Sequence, residues 1–279
     1  MNFSGAAIVA GVCGWPIKHS RSPRIHNFWL KKYGIDGVYV PFAISPDRAA
    51  DAFRALPDLD IAGLNVTVPN KEEAFRAMHE TDRWAQRLKA VNTIVVRDGV
   101  LFGTNTDAFG FLESLRRSRP SWRADKGPVV VLGAGGAARA IVAGLQDEGA
   151  PDIRIANRTA ERAQALASEF GDPVRPVGWE DRADALDGAA LLVNTTSLGM
   201  EGQPPLDISL DALPVEAVVY DIVYVPLETP LLAAARARGN PAVDGLGMLL
   251  HQARPGFRDW FGTEPEVDEA LRDHVLGTF

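Results

Sequence analysis

The feature that most constrains this chain is the run Val129-Val130-Val131-Leu132-Gly133-Ala134-Gly135-Gly136-Ala137-Ala138. Four aliphatic residues in a row read as a strand buried on both faces. Ile141, Val142 and Leu145 then share one face of a helix that opens at the end of the glycine run. A strand, a G-x-G-x-x-A turn and a helix make the phosphate-binding start of a Rossmann βαβ unit. Gly133 makes the tight turn, Gly135 lets a pyrophosphate approach the backbone, and Ala138 permits close helix packing. The unpaired N–H groups and positive dipole end of that helix favour the phosphates. The expected contacts are Gly133, Ala134, Gly135, Gly136 and Ala137.

The next strand, Ile153-Arg154-Ile155, decides which dinucleotide fits. NAD-binding chains usually place an acid after it for the ribose 2′-hydroxyl. Here Asn157-Arg158-Thr159 stands there, with Arg162 one helical turn further on. An acid would repel a 2′-phosphate, whereas two guanidinium groups bind it through charge-assisted bonds. NADP is therefore the expected cofactor. Asp152 lies before the strand rather than after it, so it does not take the acid's place.

Strand and helix patterns alternate along the whole chain, which predicts an α/β protein. Before the dinucleotide unit, strands are expected at Ile8–Val12, Val38–Phe42 and Gly63–Val68, with helices from Ser22 to Gly34, Asp47 to Leu56 and onward from Lys71. Ser22-Pro23 reads as an N-cap followed by a proline at the first helical position. Thr93–Val96 and Val100–Gly103 flank Asp98-Gly99 and predict a hairpin. After it, further strands are expected at Leu191–Val193 and Val218–Tyr220, then helices at about Leu246–Trp260 and Glu266–Leu276. At 279 residues, two domains are expected: a mainly parallel α/β sheet domain over 1–106 and the Rossmann-type domain over 107–244, followed by the helices of 245–279. Periodicity alone leaves open which domain those last helices join.

Composition narrows the classes of function. Lys and Arg total 29 against 36 for Asp and Glu, a net charge of −7, the wrong sign for broad binding to nucleic acid or an anionic membrane. No run approaches the roughly 20 apolar residues of a membrane helix. Cys13 is the one cysteine, so neither an intrachain disulfide nor a cysteine-rich metal site is expected, and a reducing cytoplasm fits.

In the first half, polar clusters sit at the ends of expected strands, where ligands gather in open α/β sheets. They are Ser20-Arg21-Ser22-Pro23, Asn65-Val66-Thr67-Val68-Pro69-Asn70-Lys71, Ala90-Val91-Asn92-Thr93 and Asn105-Thr106-Asp107. Hydroxyls and amides suit a hydroxylated small molecule, and Lys71 with Asp107 can serve as a proton-transfer pair. A lysine at a helix start is opposed by the dipole, which function explains better than stability.

Taken in order, these clusters resemble the shikimate dehydrogenase family along nearly the whole chain. The likeness begins at Gly14-Trp15-Pro16-Ile17 and continues through the clusters above. It extends to Asn194-Thr195-Thr196-Ser197-Leu198-Gly199-Met200, Tyr220-Asp221-Ile222-Val223-Tyr224 and Asp244-Gly245-Leu246-Gly247-Met248-Leu249 with Gln252. The resemblance implies a two-domain enzyme interconverting shikimate and 3-dehydroshikimate with NADP(H), in the cleft between its domains, for aromatic amino acid synthesis. It implies that Ser20 and Ser22 hold the substrate carboxylate with Tyr224 nearby, that Thr67, Asn92, Asp107 and Gln252 bind its hydroxyls, and that Lys71 and Asp107 are catalytic. On the cofactor side it implies roles for the 133–137 loop, for Asn157, Arg158, Thr159 and Arg162, for the backbone of Ile222 and Gly245, and more weakly for Asp82. It also implies that the last helices return to the first domain, that no metal is involved, and that the assembly is a monomer or homodimer. Two alternatives remain: an enzyme of mixed quinate and shikimate specificity, and a catalytically silent NADP sensor. Retention of both serines favours shikimate over quinate, and intact Lys71 and Asp107 argue against the sensor. Asn70, Ala108 and Val225 depart from the usual family residues, and Ala108 is expected to shift Asp107 slightly.

Overall fold

The computed structural model describes residues 3–277. The chain forms two compact units, one of residues up to Thr106 together with those from Leu250 onward, the other Asp107–Leu249.

The first unit holds β1 (Ile8–Gly14), α1 (Ser22–Tyr33), β2 (Gly37–Ala43), α2 (Ala49–Arg54), β3 (Ile61–Val66), α3 (Lys71–Ala77), β4 (Glu80–Thr81), α4 (Arg83–Leu88), β5 (Thr93–Arg97) and β6 (Val100–Thr104). Its sheet runs β2-β1-β3-β5-β6-β4. Pairing is parallel for β1/β2, β1/β3 and β4/β6 and antiparallel for β3/β5 and β5/β6. From β1 the chain goes first to one side and then to the other, so the carboxyl ends of β1 and β3 mark a switch point where an open sheet binds ligands. Ser20 and Ser22 follow β1, and Thr67 and Lys71 follow β3. Asp98 and Gly99 have φ of 50° and 77°, the two positive values that a tight hairpin turn matching strand twist requires. Cys13, Phe53, Leu64, Val66, Ile94 and Leu101 form the core on one face of this sheet.

The second unit holds α5 (Asp107–Ser118), β7 (Val129–Leu132), α6 (Gly136–Asp147), β8 (Ile153–Ala156), α7 (Ala160–Phe170), β9 (Val174–Val177), β10 (Leu191–Asn194), β11 (Val218–Asp221), α8 (Pro230–Arg238), β12 (Ala242–Val243) and the first turn of α9 (Leu246–Phe261). The sheet order is β12-β11-β10-β7-β8-β9, with every pairing parallel. This is the doubly wound arrangement of a dinucleotide-binding domain, with its switch point between β7 and β10. All four residues of β7, β10 and β11 are buried, as strands covered by helices on both faces must be.

From Leu250 onward α9 belongs to the first unit, as does α10 (Glu269–Leu276). Trp260 Nε1 donates to Ile94 O at 3.0 Å, and Trp29 Nε1 in α1 donates to Glu266 O at 2.8 Å. Asp268 caps α10 through Leu271 N and pairs with Lys32 of α1 at 2.8 Å. The last helices therefore do return to the first domain.

Several expectations need adjustment. Ser22 is not a helix cap. Arg21 is already in helical conformation, Ile25 N bonds back to Arg21 O, and no side chain caps this end. The helix expected over Asp47–Leu56 is a 3-10 turn at Pro46–Arg48 followed by the shorter α2. β3 ends two residues before its expected limit, because Asn70 N turns back onto Thr67 O.

Candidate active site

On the dinucleotide side, Gly133 has φ of +108°, and a Cβ there would fall 2.5 Å from Thr195 Oγ1, so only glycine fits this turn. Thr195 bonds Leu132 O through both its N, at 2.9 Å, and its Oγ1, at 2.6 Å, which ties β10 to the end of β7 at the switch point. Gly135 immediately precedes α6 in extended conformation, and a Cβ on it would meet no atom within 4 Å. The space beside the helix N-terminus is thus open, as pyrophosphate binding requires.

After β8, Asn157 Nδ2 donates to Thr159 O at 2.8 Å and Arg162 N to Thr159 O at 3.1 Å, shaping a turn that leads into α7. Arg158 and Arg162 are exposed, and neither side chain forms a hydrogen bond or ion pair among the described residues. Two uncommitted guanidinium groups beside the loop fit a 2′-phosphate. Asp152, by contrast, is bound to Arg154 and Arg175, each at 2.8 Å. Burial pushes its carboxyl up, but the two arginines outweigh this and hold it below the usual range.

The segment after β11 is fixed by a buried carboxylate. Asp221 is fully buried and accepts from Asn194 Nδ2 at 2.9 Å, Val223 N at 3.0 Å and Thr229 Oγ1 at 2.7 Å. Burial raises its pKa, opposed by these three bonds. Ile222 N bonds Asn194 O at 3.0 Å, and a Cβ on Gly245 would lie 2.1 Å from Ile222 O, so the two expected cofactor positions meet backbone to backbone. Tyr224 follows in the same segment, half-buried. Asp107 is the first residue of α5 and is buried. The adjacent Ala108 methyl is accommodated because α6 offers Gly144, where a Cβ would lie 3.4 Å from it.

On the substrate side, the first unit ties most of its expected residues together. Ser22 N donates to Ser20 Oγ at 3.4 Å. Thr67 N bonds Cys13 O, and Val91 N bonds Lys71 O at 2.9 Å, which joins the start of α3 to the Asn92 segment. Asn92 is buried; its Oδ1 accepts from Thr106 N at 3.0 Å and its Nδ2 donates to Thr106 Oγ1 at 3.0 Å. Thr106 Oγ1 in turn donates to Gln252 O at 2.8 Å, which anchors the α9 residue expected to bind a hydroxyl. The structure places Asp107 and Tyr224 in the second unit and the other expected substrate residues in the first. Asp82 also lies in the first unit, whereas the other expected cofactor residues lie in the second. Its carboxylate caps α4 by accepting from Ala85 N at 2.7 Å, and burial raises its pKa.

Sequence reasoning missed the buried groups behind these residues. Tyr39 Oη donates to Asn65 Oδ1 at 2.6 Å, and His26 stacks on the Tyr39 ring at 4.0 Å. Burial lowers the pKa of His26 to about 3, so the ring is neutral. Asn65, Thr93 and Asp221 sat inside motifs already singled out, but nothing in one sequence shows that their side chains point inward. Among the described residues no three His, Cys, Asp or Glu side chains group as metal ligands, and no helix is long and apolar enough to cross a membrane.

Comparison with known proteins decides the family. Residues 12–94 match the shikimate dehydrogenase substrate binding domain, and residues 117–199 match the shikimate / quinate 5-dehydrogenase domain. The shikimate dehydrogenase (NADP(+)) of Paramagnetospirillum magneticum is 59% identical over 98% of this chain and 100% of its own length. The chain belongs to the shikimate dehydrogenase family. Within it, the crystal structure of the Thermus thermophilus enzyme in complex with NADP(H) and shikimate superposes with a TM-score of 0.87 at 36% identity, covering 98% of this chain and 100% of that one. A quinate dehydrogenase from Corynebacterium glutamicum in complex with NAD has a TM-score of 0.89 at 32% identity, covering 97% and 99%. Against the family pattern, Asn70 is buried and its amide donates to Ile44 O at 2.8 Å, so it serves the loop before Lys71.

Proposed function

We propose that this chain reversibly reduces 3-dehydroshikimate to shikimate with NADPH, the chemistry of its family, in aromatic amino acid biosynthesis in the cytoplasm. The observation that carries this reading is full-length membership of the family with every residue of the expected substrate set present. Bound NADPH supplies the hydride. The loop from Gly133 to Ala137 and the α6 N-terminus hold the pyrophosphate, while Asn157, Arg158, Thr159 and Arg162 hold the adenosine phosphate. The backbone at Ile222 and Gly245 lines the nicotinamide side, and Asp82 lies near the cofactor.

Ser20 and Ser22, with Tyr224, bind the substrate carboxylate, and Thr67, Asn92, Asp107 and Gln252 bind its hydroxyls. As the carbonyl oxygen gains negative charge, the Lys71 ammonium donates a proton or hydrogen bond to it, and Asp107 orients Lys71. A positioned cation at developing negative charge stabilises the transition state more than the ground state, which is what raises kcat. The test is Lys71→Ala, measured beside the parent with shikimate and NADP. A roughly 10²–10⁴-fold fall in kcat is expected, with NADP binding nearly unchanged. A variant that keeps most of the parent's kcat would remove Lys71 from the mechanism.

A further inference from the structure

The interior of the first unit contains an unbroken line of side-chain hydrogen bonds, and its direction can be worked out from donors and acceptors alone. At one end the Tyr39 hydroxyl donates to Asn65 Oδ1 at 2.6 Å. Burial raises the pKa of Tyr39 well above the ordinary phenol value, so it stays a donor at all working pH. With its oxygen taken, Asn65 donates from Nδ2 to Asn92 O at 3.3 Å and to Thr93 Oγ1 at 3.0 Å. Thr93 is 1% exposed, and its hydroxyl has a single proton. Because it accepts from Asn65, that proton goes to Asn92 Oδ1, 2.9 Å away. Asn92 Oδ1 also accepts from Thr106 N at 3.0 Å, which fills both of its lone pairs. Asn92 Nδ2 then donates to Thr106 Oγ1, whose own proton has Gln252 O at 2.8 Å and Asn92 Oδ1 at 3.2 Å within reach and goes to the nearer Gln252 O, since both lone pairs of Asn92 Oδ1 are already filled.

We propose that Thr93 is a positioning residue for the reaction: as the pivot of a one-way chain from Tyr39 to Gln252, it saturates the Asn92 carbonyl and obliges Asn92 to address the substrate through its amide nitrogen. The inference rests on the functional reading above, in which Asn92 binds a substrate hydroxyl. With its carbonyl oxygen saturated inside the protein, Asn92 can meet a substrate hydroxyl only as a donor to the hydroxyl oxygen, which leaves the hydroxyl proton for another acceptor. Thr93 itself touches no ligand in this account, and its effect passes through Asn92.

Two substitutions separate this role from packing. Thr93→Val keeps the shape and deletes the hydroxyl, whereas Thr93→Ser keeps the hydroxyl and deletes a methyl that packs beside Gly256. Shikimate KM, kcat, NADP affinity and melting temperature are measured for both variants and the parent. Thr93→Val is expected to raise shikimate KM roughly 5–30-fold, the worth of one buried hydrogen bond, with NADP affinity unchanged. Thr93→Ser is expected to stay near the parent in KM even if it melts lower. Tyr39→Phe, at the far end of the chain, should raise KM in the same direction, and combining it with Thr93→Val should add little. A Thr93→Val enzyme with the parent's KM, or a Ser variant as impaired as the Val variant, would overturn the proposal. If Thr93→Val does not fold, Thr93→Ala decides: a raised KM with intact NADP affinity, absent in Thr93→Ser, supports the chain, and an unchanged KM refutes it. A parent that does not turn over shikimate at all would instead refute the functional reading, and this inference with it.

Discussion

Replacing Asp221 with alanine removes the acceptor that holds the segment carrying Ile222 and Tyr224. The carboxylate is fully buried and takes three hydrogen bonds. Asn194 Nδ2 keeps a second partner, Leu198 O at 3.1 Å, but Val223 N and the Thr229 hydroxyl proton lose theirs. Two buried donors left unpaired cost about 2–6 kcal/mol, part of which is offset because a buried charge is also removed. A net loss of about 2–3 kcal/mol corresponds to a fall in melting temperature of roughly 4–12 °C for a domain of this size. Asp221→Asn keeps one acceptor oxygen, so its loss should be smaller. The pH dependence has a definite sign. Burial raises the folded-state pKa of Asp221 above its unfolded value, so its ionisation opposes folding. The parent's advantage over Asp221→Ala is therefore greatest in acid and shrinks as pH rises through the raised pKa. Thermal unfolding across pH, with NADP titration of each variant, tests this. NADP should bind more weakly to Asp221→Ala than to the parent, because Val223 N, between Ile222 and Tyr224, loses its acceptor, and Val223 O is the acceptor for Gly245 N. A variant melting within about 1 °C of the parent at every pH, with unchanged NADP affinity, would refute the argument.

Arg158→Ala should weaken NADP roughly 10–150-fold while leaving NAD almost unchanged, because the lost charge-assisted bonds go to the 2′-phosphate. The side chain is exposed, so the low end of that range is expected at high salt, and parallel kcat/KM values for both cofactors check it. Ser20→Ala should raise shikimate KM more than it lowers kcat, since a carboxylate is bound alike in ground and transition states. Unchanged shikimate kinetics in that variant would place the carboxylate elsewhere.

The dinucleotide unit was the most legible part of the molecule because its signals are local. A buried strand, a turn that only glycine can make at Gly133 and a helix face follow one another within 17 residues, and β7 falls where expected, at Val129–Leu132. The hairpin at Asp98-Gly99 was readable for the same reason. Elements of two to six residues, such as β4, α4 and β12, are too short to show periodicity. The capping role expected of Ser22 failed because helical conformation already begins at Arg21, a backbone fact that residue type does not reveal. The line from Tyr39 through Thr93 to Gln252 was illegible for another reason. It joins residues from β2, β3, β5 and α9, and only the fold brings those side chains together.

The central claim, NADP-dependent turnover of shikimate, is tested most directly by kcat/KM for shikimate and quinate, each with NADP and with NAD, on the unmodified protein. The account predicts that shikimate with NADP gives the highest value, that quinate is poor with either cofactor because both Ser20 and Ser22 are retained, and that NADP exceeds NAD by about tenfold or more, the worth of at least one charge-assisted bond. Quinate used as well as shikimate, or NAD used as well as NADP, would contradict it.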